Sequence, residues 1–132
     1  MKLISPTNEV TLSIIVPVYN EVQMLPTFHH QLMCTIATLA HETIELIYVN
    51  DGSKDSSWAC LQTLPHSLNH CQVRCINLSR NFGKEAAMTA GLDYSVGQAV
   101  IFLDADLQDP PELIPQMLNK WREGFDVVNM KR

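Results

Sequence analysis

Asp104 and Asp106 flank Ala105 at the end of the apolar run AVIFL. Two carboxylates held one residue apart repel each other unless a cation or hydrogen-bond donors offset them. A hard divalent ion such as Mg2+ or Mn2+ takes oxygen ligands and also binds diphosphate oxygens, and Gln108 could add a carbonyl oxygen. Such an ion would neutralise charge building on a departing nucleoside diphosphate. The bland reading is a polar turn with Asp109 capping the next helix. Three further polar clusters follow apolar runs. The first, Pro17 to Glu21, holds Tyr19, whose ring could flank a base. It also holds Glu21, which could bound a base or ribose pocket or simply favour a helix N-terminus. In the second, Asp51-Gly52-Ser53 is good turn chemistry, and the Asp51 carboxylate could accept a hydrogen bond from a nucleobase N–H. The third ends in Gly83-Lys84 at a helix start, where free amides favour anions. Arg80 and Lys84 there suit a phosphate, although the Gly-x4-Gly-Lys-Ser/Thr of a Walker loop is missing.

These clusters need elements to hold them. Apolar, β-branched runs at 11–18, 44–50, 73–79 and 99–104, with another at 125–130, have strand length. Being apolar on both faces, they suit parallel strands covered from each side. Between them Met24, Leu25, Phe28, Leu32, Ile36 and Leu39 fall at helical spacing, with Pro26 tolerable in the opening turn. Trp58, Leu61 and Leu64 mark a shorter helix. Ala87, Met88, Gly91 and Leu92 share one face of a third, whose small residues would let it lie close to a sheet, although Gly91 weakens it. Leu113, Ile114, Met117, Leu118 and Trp121 mark a fourth, closed by Gly124; a cap at Asp109 would leave Pro115 beyond the first turn. The expected architecture is a single domain over 1–132: an open, mainly parallel α/β sheet, Rossmann-like, with helices on both faces and right-handed crossovers. Ligands of such sheets bind outside the strands' carboxyl ends, near the reversal of strand order. All four polar clusters belong to that rim.

Composition narrows the partners. Nine Lys+Arg against 14 Asp+Glu leave a net charge of −5, which argues against a sequence-independent nucleic-acid binder. The 46% hydrophobic content supports a buried core. No run reaches the roughly 20 apolar residues of a membrane span, and no secretory leader opens the chain. Cys34, Cys60, Cys71 and Cys75 therefore read as free thiols in a reducing cytoplasm. His66, His70, Cys71 and Cys75 lack the paired spacing of structural zinc. The adjacent His29 and His30 read as a solvated helix face.

In order along the chain, SIIVPVYNE, IYVNDGSKDSS, LSRNFGKEAAMTAGL and FLDADLQDPPELIPQM together resemble the family 2 glycosyltransferases. The likeness is greatest to the polyprenyl-phosphate branch of dolichol-phosphate mannose synthases and undecaprenyl-phosphate glucosyltransferases, and it spans residues 12–132. The resemblance implies a GT-A fold and an inverting enzyme that moves a hexose from a UDP- or GDP-sugar to an acceptor, here a lipid phosphate, with Mg2+ or Mn2+. It implies that Pro17, Tyr19 and Glu21 line the nucleotide pocket and that Asp51 holds the base. Asp104 and Ala105 would lie against ribose and diphosphate, Asp106 and Gln108 would ligate the metal, and Lys84 would lie near the site. Arg132 matches a basic position near substrate phosphates, with Met130 in place of the usual small residue. Members of this family continue into an acceptor-binding half, often followed by transmembrane helices. This chain is thus expected to be the truncated, donor-binding part, cytoplasmic or at the cytoplasmic face of a membrane, reaching the membrane only through that further region. Self-association into a homo-oligomer would cover surface left bare. The competing expectation is a non-catalytic nucleotide-sugar-binding or interaction module. A phosphatase fits worse, because its Asp-x-Asp would follow the first strand.

Overall fold

The apolar runs form β1 (Leu12–Val18), β2 (Ile44–Asn50), β3 (Cys71–Asn77) and the shorter β4 (Ala99–Phe102). The computed structural model describes residues 10–66, 68–108 and 110–124. The expected strand at 125–130, the cap at Asp109 and Arg132 lie outside these residues. The strands pair in parallel in the order β3-β2-β1-β4. β3 starts two residues earlier than its apolar run because Cys71 pairs with Ile44. β4 ends at Phe102, and Leu103 makes one last bond, to the Ile15 carbonyl (3.0 Å). Asp104 is thereby released from the ladder.

From β1 the chain steps outward through β2 and β3, then returns past β1 to place β4 on its other side. Right-handed crossovers require that reversal to move the connecting helix to the opposite face. Accordingly α1 (Leu25–Ala37), α2 (Ser57–Thr63) and α4 (Ile114–Arg122) cover one face, against Leu12, Ile14, Val16 and Val18 of β1. α3 (Lys84–Tyr94) covers the other, against Ile15, Ile47 and Val49. α3 approaches closely at Gly91, where a Cβ would sit 2.5 Å from Ile15 Cγ2. The glycine that weakens this helix in isolation is what lets it lie on the sheet. Its buried face is narrower than its spacing implies: Ala87 and Gly91 are buried while Leu92 is 48% exposed. Pro115 takes the first turn of α4, because a 3-10 turn over Pro111–Leu113 precedes that helix.

His29 is buried and does not share a solvated face with His30. Neighbouring helix residues point about 100° apart, so one enters the core. The Pro65 carbonyl can only accept, so the His29 Nε2–H donates to it. The neutral ring's Nδ1 then accepts the Tyr48 hydroxyl at 2.7 Å. Burial holds the His29 pKa below its ordinary 6.5, against the opposing Pro65 bond, with His66 and His30 adding to the lowering. The unfolded chain therefore binds this proton more readily, so stability is present above pH 6.5 and lost as pH falls below it. Denaturant midpoints measured from pH 7.5 down to 5.5 should fall in the wild type and fall less steeply in His29→Gln.

Two polar ties fix elements that carry the rim. Arg122 grips the Glu42 carboxylate through both terminal nitrogens, pinning α4 to the turn before β2. Buried Glu45 accepts from Ser13 Oγ (2.5 Å) and the Val96 amide (2.6 Å), while Ser13 Oγ accepts from Gly97 (2.8 Å). These bonds set where β4 begins.

Candidate functional site

Strand order reverses between β1 and β4, and a hollow of about 270 Å³ opens at their carboxyl ends. Pro17, Tyr19 and Glu21 line it from the loop after β1, and Asp51 from the loop after β2. Lys84 comes from the start of α3, and Asp104, Ala105 and Asp106 from the loop after β4. Four chain-distant clusters thus meet in one place. Gln108 is not among the lining residues; it is exposed, and its amide donates to Asp106 Oδ1 at 3.1 Å. Arg80 also stays out of the lining, its guanidinium 4.7 Å from the Phe82 ring centroid. Val18 and Asn81 line the hollow as well. Asn81 is legible as a polar residue in a post-strand loop, whereas Val18 reads only as core.

Each side chain has a local reason for its position. Asp51 is buried, and its carboxylate accepts the amides of Phe82 (2.8 Å) and Gly83 (3.1 Å). It therefore anchors the start of α3 from across the sheet rim. Each oxygen keeps a further lone pair for a ligand. Gly52 must be glycine: φ is +65°, and a Cβ would lie 2.2 Å from the Asn81 nitrogen. Lys84 Nζ lies 2.7 Å from Asp104 Oδ1, so Asp104 already has a positive partner. Ala105 turns inward and is buried in the core, and the acids on either side of it both line the hollow. Leu107 adopts φ +66°, a left-handed conformation unusual for a branched residue. It is held there by the Asp106–Gln108 turn and by packing on the core.

Acidic side chains crowd one part of the rim. Burial raises the Glu21 pKa above its ordinary 4.5, and the charges of Asp106, Asp55 and Asp104 raise it further. A carboxyl whose folded pKa is raised stabilises the fold below its unfolded pKa, and that stability is lost as pH rises through the folded value. At neutral pH the ionised Glu21 therefore costs the fold stability, chiefly through its burial and secondly through the neighbouring acids. The donors are all carboxylate oxygens, the set that hard divalent ions prefer. Among the described residues no three His, Cys, Asp or Glu side chains could hold one ion. A metal here would rest on Asp106 and complete its shell with phosphate oxygens and water, as Mg2+ commonly does.

The two histidines beside Cys71 and Cys75 have other partners. His66 and His70 bond the carbonyls of Leu64 (3.1 Å) and Ile36 (2.8 Å). All four cysteines are free thiols, and burial pushes the Cys71 thiol up to about 11. No described helix is long and apolar enough to cross a membrane.

Residues 13–132 match the family described as glycosyl transferase family 2. The chain is 47% identical to the uncharacterized glycosyltransferase YkcC of Bacillus subtilis (strain 168), covering 92% of this chain and 37% of that protein. It is 40% identical to the bactoprenol glucosyl transferase of Shigella phage SfX, covering 92% and 39% respectively. Among solved structures it resembles the mannosyltransferase PcManGT from Pyrobaculum calidifontis in complex with GDP-Man and Mn2+. That likeness has a TM-score of 0.70 at 21% identity over 96% of this chain and 37% of that one, and is a likeness of fold. The chain thus spans under two-fifths of the length of each of these proteins.

Proposed function

This chain belongs to glycosyl transferase family 2, and from that premise we propose that its hollow binds a UDP- or GDP-sugar for inverting transfer of a hexose to a polyprenyl phosphate, with Mg2+ or Mn2+. The observation that carries this reading is the meeting of Glu21, Asp51, Lys84, Asp104 and Asp106 around one hollow at the reversal of strand order. The name of the phage relative, a bactoprenol glucosyl transferase, supports a polyprenyl acceptor. The PcManGT complex with GDP-Man and Mn2+ supports a nucleotide sugar and a divalent ion.

In this reading Pro17, Tyr19 and Glu21 bound the nucleotide, and the remaining lone pairs of Asp51 face a base N–H. Asp104 and Ala105 lie along ribose and diphosphate. Lys84 sits where its ammonium can pass from Asp104 to a phosphate oxygen. Asp106 holds the metal, and Gln108 contributes through the amide that fixes Asp106. The ion, when bound, supplies neutralising charge to the leaving diphosphate. A phosphate acceptor is already anionic and needs little help from a base, so positioning of the two substrates by these residues carries much of the remaining acceleration. With a lipid acceptor, the protein works at a membrane face.

The test is a melt of the chain with UDP-glucose or GDP-mannose, with and without each metal. A ligand at a hundredfold excess over Kd stabilises by about 2.7 kcal/mol. A metal-dependent rise in melting temperature with one of the two donors is expected. No rise with any combination would overturn the reading. Transfer to a polyprenyl phosphate separates an enzyme from a non-catalytic nucleotide-sugar-binding module.

A further inference from the structure

The loops after β1 and β2 are tied to each other more closely than their lengths require. Asn20 adopts φ +53°, and its Oδ1 accepts the amides of Lys54 (2.8 Å) and Asp55 (3.4 Å). Its own amide donates to Ser53 Oγ at 2.9 Å. Asp55 answers from the other side: Oδ2 accepts the Val22 amide (3.3 Å), and Oδ1 accepts both the amide (2.9 Å) and the hydroxyl (2.6 Å) of Ser57. Ser57 Oγ in turn accepts the amide of Glu21 at 3.0 Å. Three consecutive amides, Asn20 to Val22, are therefore held by side chains more than 30 residues away in sequence. Burial pushes the Asp55 pKa up, but its hydrogen bonds from Ser57 and Val22 together outweigh that and hold it below the ordinary 3.8, so it stays an anion and an acceptor.

From this we infer that Asn20 and Asp55 are positioning residues for nucleotide binding: they form a clasp that sets Glu21 and Tyr19 against Asp51 before any ligand arrives. The inference rests on the donor-binding reading above. Neither residue lines the hollow; they act through their neighbours, Asp55 holding the Val22 amide and the Ser57 hydroxyl that takes the amide of Glu21, which does line it. Asn20 suits the post because a short polar side chain tolerates the left-handed conformation while leaving a carbonyl oxygen to accept two amides. A glycine there would keep the backbone and lose the two bonds that Oδ1 accepts, half of the clasp. An aspartate would keep both.

Asn20→Gly and Asn20→Asp are therefore compared with the wild type by titration with UDP and GDP in Mn2+, well below the melting temperature, and by amide hydrogen exchange. Apparent affinity falls by the fraction of molecules in the competent arrangement. If the open clasp leaves the loops in register about a tenth of the time, Kd for Asn20→Gly rises about tenfold. Exchange at Lys54 and Asp55, whose amides the Asn20 side chain accepts, should accelerate in Asn20→Gly by a comparable factor. Asn20→Asp should restore protection and bring Kd to within about threefold of wild type. Unchanged Kd in Asn20→Gly overturns the inference, as does wild-type protection of those amides in Asn20→Gly or an Asn20→Asp as weak as the glycine variant. Failure of the wild type to bind either nucleotide sinks the donor reading and this inference with it. The exchange data then show whether the clasp itself exists, so the two failures are told apart.

Discussion

Asp106→Ala is expected to erase the metal-dependent part of nucleotide-sugar binding while leaving the fold intact. In the wild type, saturating donor and metal should raise stability by about 2.7 kcal/mol, which for a chain of this size moves the melting temperature by roughly 10 °C. In Asp106→Ala that rise should vanish or shrink to what the nucleotide gives without metal. Without ligands the variant should melt close to the wild type, because a part-exposed substitution costs about 0.5 kcal/mol or less and relieves some of the repulsion on Glu21. One structural loss remains, the bond from the Gln108 amide to Asp106 Oδ1. Asp106→Asn keeps an acceptor for that amide and removes only the charge. If charge is what matters, Asn and Ala should lose the metal effect alike. If turn geometry is what matters, Asn should retain it. A full metal-dependent shift in Asp106→Ala would place the ion elsewhere.

Much of the rim was legible in the sequence because apolar runs end abruptly. Buried parallel strands take few ionisable side chains, Glu45 with its bonds from Ser13 and Val96 being an exception. Glu21, Asp51, Lys84 and Asp104 therefore read as lying beyond them, and an open α/β sheet brings such ends to one edge. What sequence spacing could not supply was which atoms are already engaged. Asp51 reads as a turn residue or a base ligand, yet it anchors the start of α3 through Phe82 and Gly83. Gln108 has the chemistry of a ligand, yet the turn that fixes Asp106 uses its amide and leaves its side chain outside the hollow. Leu92 satisfies helical spacing but is exposed, because the close contact of α3 with the sheet runs through Ala87 and Gly91. His29 was unreadable for a different reason. Its partners, Tyr48 and the Pro65 carbonyl, lie on other elements, and no local pattern announces them. The clasp between Asn20 and Asp55 is equally non-local.

Gly52→Ala is expected to be among the most damaging single-methyl additions to this chain. The residue has φ +65°, and the new Cβ would lie 2.2 Å from the Asn81 nitrogen and 2.3 Å from the Arg80 carbonyl carbon. Left-handed backbone costs a non-glycine residue about 1–2 kcal/mol, and forcing atoms into filled space costs about 1–3 kcal/mol. Together these give roughly 2–5 kcal/mol. The crowded atoms are backbone, so no rotamer change relieves them. The loop after β3 must move instead, and it carries the Phe82 and Gly83 amides that Asp51 holds. Gly124→Ala separates the two costs, since Gly124 has φ +106° but, among the described residues, nothing within 4 Å of a new Cβ. It should lose only the backbone part. Denaturant unfolding of the pair should therefore show Gly52→Ala less stable than Gly124→Ala by the crowding component. Under the donor reading, nucleotide affinity should fall in Gly52→Ala alone, because only there does the base-facing carboxylate lose its anchor. Equal losses in the two variants would mean that the loop after β3 yields freely and that Asp51 does not depend on it.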